Sequence, residues 1–290
     1  MYPFAPYCHS PAADSLLSAF LCYFHRQVIF LALAGCLVPV FPASVHAHGD
    51  LHEQIQAVSI LIEKMPSAEL HLIRGELHRA HREYDEALAD FDRAEALDTE
   101  IDAVHLARGC TLVEAGKYME AEKALSRFLN EQPGHPAGYL YRARAVVALK
   151  QFDRSVADYD QAIGLAEVPK PDHYIERAEV LKRAGKLPEA LVGLEQGIAR
   201  LGALVTLEIM ALEIEMELKR HDAALVRVER LIASAQRKER WQERKAAILS
   251  KAGRKAEAKQ SYEVALKSVE ELPQRLRSIR ASQETEKRIR

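Results

Sequence analysis

The sequence predicts an all-α fold, a superhelical solenoid of helix–turn–helix repeats. Three observations predict it. A small residue recurs at a nearly constant step: Ala87, Ala121, Ser155, Ala190, Ala224 and Ala258 are 34, 34, 35, 34 and 34 residues apart. The extra residue falls at Lys170, between Pro169 and Pro171. Four residues after each anchor stands a large apolar side chain: Phe91, Leu125, Tyr159, Leu194, Val228 and Tyr262. Twelve residues before it stand Gly75, Gly109, Ala143, Ala178, Leu212 and Ala246, small in all but the fifth unit. A fixed period of this length marks supersecondary units that bury their apolar faces only by stacking.

Residues 1–47 differ from the rest in kind. Val28 to Phe41 is an unbroken apolar run, preceded by His25 and Arg26 and followed by Pro42 to Ala47. It is short for a membrane span and suits the core of a signal peptide, with Val45 and Ala47 at the −3 and −1 places of a cleavage site. Cleavage near Ala47 is expected, leaving His48 as the mature N-terminus and the repeats periplasmic or secreted. Two alternatives stand beside it. Leu33-Ala34-Gly35-Cys36 resembles a bacterial lipoprotein box, which would lipidate Cys36, although apolar residues follow it. An uncleaved anchor would make this segment the chain's membrane contact. Three of the four cysteines fall in this segment, so a cleaved chain keeps Cys110 alone and has no internal disulfide.

Residues 48–67 are expected to form a helix capping the open edge of the array. Asp50 and Glu53 have capping-box spacing, and Leu51, Ile55, Val58 and Ile62 share one helical face. Pro66 ends it. His48, His52, His71, His78 and His81 are expected as ordinary helix residues, with no metal and no other cofactor.

The six units are 68–101, 102–135, 136–169, 171–204, 205–238 and 239–272. Gly116, Gly185 and Gly253 close first helices, where a left-handed residue suits glycine. Pro188 sits in the first turn of a second helix, where its missing N–H costs nothing. Arg74, Arg108, Arg142 and Arg177 recur at position 7, and Asp90 and Asp158 follow sixteen residues after the first and third of them. Ion pairs within the repeat are expected. Glu213, Glu215 and Glu217 are expected on solvated surface. Residues 273–290 read as a charged C-terminal capping helix or tail, with Leu276, Ile279 and Ile289 its large apolar residues.

The period and its small–aromatic–small columns resemble the tetratricopeptide repeat family, in an exported bacterial type, over residues 68–272. Single units depart from the pattern: His71, His105 and Glu208 stand at position 4, Leu212 at position 8, Phe128 and Leu231 at position 27. The resemblance implies an inner surface lined by first-helix positions 2, 5, 9, 12 and 13. Position 5 supplies Leu72, Leu106, Leu140, Ile175 and Ile209; position 12 supplies Val113, Val147 and Lys182; position 9 supplies Arg144 and Glu179. It further implies a protein or peptide partner in that groove. Position 9 lacks the cationic set by which some members hold a terminal carboxylate.

Charge is unevenly spread. Residues 50–218 hold 19 Lys/Arg against 31 Asp/Glu, whereas 219–290 hold 20 against 10. The basic part has only Trp241 and Tyr262 as aromatics, a poor complement for stacked bases, so no nucleic acid is expected. No phosphate loop, G-x-S-x-G, H-E-x-x-H or C-x-x-C pattern occurs. A non-catalytic scaffold is therefore expected outside the cytoplasm; the competing hypothesis is a metal-dependent or hydrolytic accessory on the same array.

Overall fold

A computed structural model describes residues 49–289. The signal-segment readings, with Cys36, Ala47 and His48, lie outside these residues. Every regular element among the described residues is a helix. They fall into two compact units that divide between Thr111 and Leu112.

In the first unit, α1 (Gly49–Lys64) packs on α2 (Ala68–Ala80), which pairs with α3 (Tyr84–Leu97). The α1 helix begins before Asp50, so Asp50 lies inside the helix and not at its cap. Ile55 and Val58 of α1 bury against Leu77, with Leu51 and Ile62 at the margin. Ser67 caps α2 by accepting the Leu70 N–H at 3.2 Å. The start of α4 (Asp102–Glu114) adds Val104 and Ala107 to the core around Phe91.

The second unit takes the rest of α4, then α5 (Tyr118–Glu131), α6 (Pro136–Ala148), α7 (Phe152–Leu165), α8 (Pro171–Arg183) and α9 (Leu187–Leu201). It continues through α10 (Val205–Glu217), α11 (His221–Ser234), α12 (Glu239–Lys251) and α13 (Lys255–Glu270). From α5 to α13 each helix packs on the next. First helices start at residues 68, 102, 136, 171, 205 and 239, the same steps as the anchor column. The architecture is an all-α solenoid of helical hairpins.

The three columns are the packing seams. All six anchors are buried, as are the large residues four places on, save Tyr262 in the last repeat. A Cβ on Gly75 would stand 2.4 Å from the Phe91 ring, so glycine is what lets α2 and α3 approach there. Ser155, the one polar anchor, donates its hydroxyl to the Ala143 carbonyl at 2.9 Å and stays satisfied.

Every first helix closes in the same way. Position 15 is left-handed in all six repeats: Arg82, Gly116, Lys150, Gly185, Lys219 and Gly253 have φ of 65, 75, 61, 76, 58 and 80°. The following N–H reaches five residues back, as from Lys117 to Leu112 and from Lys186 to Leu181 at 2.8 Å. This is the Schellman closure, which satisfies carbonyls that the helix end leaves open.

The C-terminal segment forms α14 (Gln274–Arg277) and α15 (Arg280–Ile289), and α15 packs on both α12 and α13. Its buried side is polar: Ser282 and Thr285 face inward, while Ile279 is exposed. Arg237 donates to the Ser282 hydroxyl at 2.8 Å, and that hydroxyl donates to the Leu276 carbonyl at 2.8 Å.

Candidate interaction face

The position-7 arginines show how each repeat locks its own charges. Arg74 holds Asp90 with two hydrogen bonds of 2.7 Å, and Arg142 holds Asp158 at 2.8 and 2.7 Å. These are the expected pairs within repeats. The second and fourth repeats differ because position 23 is Ala124 and Gly193. Arg108 instead reaches back to Asp92 and, at 2.7 Å, to Glu95 of the preceding repeat. Arg177 lies 2.6 Å from Asp160, and its guanidinium fills the space where a Cβ on Gly193 would be. In all four cases the guanidinium is matched and serves the scaffold.

The histidines of the first repeat are likewise spoken for. His71 meets Asp90 at 2.9 Å and His78 meets Glu83 at 2.6 Å. Burial raises the Asp90 carboxyl, but bonds from Arg74 and His71 outweigh that and hold its pKa below the usual carboxylate range. No group of three or more metal-type ligands occurs among the described residues.

The fifth repeat carries the same cluster with its signs reversed. Arg227 at position 23 is buried and bonds both oxygens of Glu215, at 2.9 and 2.8 Å. It also bonds Glu208 and Glu195. Glu215 is therefore a buried partner and not solvated surface; only Glu213 and Glu217 stay exposed. The reason is that Glu215, one helical turn past Ala211, faces the hairpin partner α11 rather than solvent.

The structure places the groove candidates unequally. In the first unit Leu72 is 7% exposed and belongs to the core with Phe91, so it offers no surface. Leu106 on α4 is half-buried. In the second unit Val113, Leu140, Val147, Ile175 and Ile209 are all half-buried. Leu140 and Val147 pack beside Ala143, Tyr159 and Val180, and Ile175 beside Tyr174 and Ala178.

Arg144 is held in place. It donates two hydrogen bonds to Glu176 at 2.9 and 2.7 Å, and Tyr159 donates a third at 2.7 Å. Burial raises the Glu176 carboxyl, yet the Arg144 bonds outweigh it and keep its pKa low. Burial, then the Glu176 charge, pushes the Tyr159 phenol well up. Glu179 is pushed up by burial and by Glu176 beside it. Lys182 is exposed and pairs with Glu217 of the next repeat.

Ile209 lines a cleft of about 360 Å³ with Glu213, Trp241, Arg240 and Arg244. A second cleft, about 480 Å³, lies on the α15 side of Trp241. The family pattern does not point to Arg244, and Glu176 pairs across repeats, 32 residues from Arg144. The legible signal for the clefts was a lone tryptophan in a basic stretch.

Comparison with known proteins agrees with this architecture. A tetratricopeptide repeat family model matches residues 47–100 and 106–169. The later repeats, with Leu212 at a small position and Arg227 in the core, lie beyond that match. No curated protein matches the chain in sequence. Among solved structures, the C-terminal part of a repeat-containing protein from Cytophaga hutchinsonii is similar at 13% identity, with a TM-score of 0.63. That match covers 81% of this chain and 94% of that one. PilW, a type IV pilus biogenesis factor, is similar at 16% identity and TM-score 0.56, over 78% and 94% of the two chains. A repeat protein from Parabacteroides merdae gives 16% identity and 0.52, over 83% and 93%. At such identities the likeness is one of fold. The family model places tetratricopeptide repeats at residues 47–100 and 106–169, and the same columns, hairpins and closures carry that fold through the later repeats; proteins of this family are generally non-catalytic interaction scaffolds.

Proposed function

We propose that this chain is an exported, non-catalytic scaffold that holds a protein or peptide segment on its first-helix face. One observation carries the reading. Leu140, Ile175 and Ile209 occupy the same position in three successive repeats of the second unit, and each is left half-buried. An aliphatic row flanked by Glu179 and the exposed Lys182 suits a segment with apolar anchors and polar flanks. Export rests on the residue 1–47 pattern.

Arg144 is a poor probe of this face, because removing it strands Glu176 and Tyr159. A photo-crosslinking residue at Lys182 avoids that problem. The expected result in native cells is a discrete adduct from position 182 in the envelope fraction. A control at Val192, which is 58% exposed on a second helix, should give none. Adducts from Val192 alone, or from neither position, would sink the groove reading. Recovery of the protein in the cytoplasm would sink export.

A further inference from the structure

We infer that the two clefts flanking Trp241, one between α10 and α12 and the other between α12 and the C-terminal helix α15, bind an acidic polypeptide segment with an apolar anchor. The inference rests on the scaffold reading above and names the chemistry of its partner. The clefts share Arg240, Trp241 and Arg288. Their charges decide what they attract. Glu239 is held by Arg237 at 2.7 Å and Glu284 by Arg280 at 2.7 Å. Arg288 lies 3.3 Å from Glu243. The exposed guanidinium groups of Arg240 and Arg244 have no ion pair among the described residues. Arg240 only lies over the Trp241 ring, 5.5 Å from its centre. Against these two free cations stands one free lining carboxylate, Glu213. An acidic side chain is what completes this arrangement, and the surplus of cations across residues 219–290 would draw it in.

Trp241 and Ile209 supply the apolar wall. Cleft volumes of about 360 and 480 Å³ are of the size that admits one or two large side chains. The occupant is a polypeptide and not a nucleic acid, because two free cations can meet isolated side-chain carboxylates but cannot neutralise a continuous phosphate backbone. A single aromatic also provides no stacking series.

Trp241 is the only tryptophan of the chain, so its emission reports on the clefts directly. The full chain is immobilised and panned with a random tryptophan-free peptide library. Enriched peptides are expected to be rich in Asp and Glu, with at least one aromatic or Leu. They should shift Trp241 emission saturably. Arg240→Ser with Arg244→Ser should raise their Kd at least about tenfold at an unchanged melting temperature. No enrichment, enrichment without acidic bias, or binding indifferent to the double substitution would overturn the inference. Tighter binding of a short oligouridylate would assign the clefts to nucleic acid instead. A Lys182 adduct in cells with silent Trp241 clefts would refute this inference and leave the scaffold reading standing. Acidic-peptide binding without the adduct would do the reverse.

Discussion

Arg227 occupies, in the fifth repeat, the register position that Asp90 and Asp158 hold in the first and third. The sign of the buried charge has changed and its partners have changed with it: cations at Asp90, carboxylates at Arg227. A buried ion pair contributes little net stability compared with an apolar substitute, but a stranded member is costly. Arg227→Met leaves Glu215 buried without a cation and leaves Glu208 only the exposed Arg230, 3.6 Å away. It is expected to cost about 3–5 kcal/mol, read as a lower urea midpoint. Replacing Glu208 and Glu215 by Gln and Leu in the same chain should recover most of the loss. An unchanged midpoint in the single variant would mean that water reaches the two carboxylates.

At the scale of the helix pair, the shared feature is the left-handed closure at position 15. Three repeats place glycine there and three place a long cation, Arg82, Lys150 or Lys219. A side chain in that conformation costs about 1–2 kcal/mol, partly offset by the larger entropy glycine loses on folding, about 0.5–1 kcal/mol. Lys150→Gly should therefore stabilise the protein by about 0.5–1 kcal/mol, and Gly185→Ala should destabilise it by a similar amount. Both positions are exposed, and a Cβ at Gly185 would meet no atom within 4 Å. If Lys150→Gly destabilises, the lysine makes an interaction that outweighs its backbone cost.

Across the whole chain, stability comes from stacking. Cys110 is buried, and it is the only cysteine beyond residue 47. A cleaved chain would thus fold outside the cytoplasm without a disulfide. Successive hairpins of the second unit each lend an apolar face to the next. The export proposal has a direct check. Sequencing of the mature protein should begin at His48. A lipid-modified Cys36 at the N-terminus would make it a lipoprotein, and an intact Val28–Phe41 segment would make it membrane-anchored.

What the sequence by itself determined is everything that depends on short, fixed separations. The period, the seams at Gly75 and Phe91, and the pairs Arg74–Asp90 and Arg142–Asp158 all join residues of one hairpin. There, helical geometry converts spacing into contact. The tertiary structure decided what depends on the neighbouring repeat. Leu72 and Leu140 share position 5, yet Leu72 is buried beside Val104 and Ala107 while Leu140 is only half-buried. Arg144, a groove candidate at position 9, is tied down because α8 brings Glu176 against it. Glu215 looked solvated until α11 supplied Arg227. The second cleft beside Trp241 exists because α15 folds back on a polar seam at Ser282 and Thr285, which carries no hydrophobic signature. Exposure and ion pairing are set by the side chains that a distant segment happens to present, and no local periodicity encodes those.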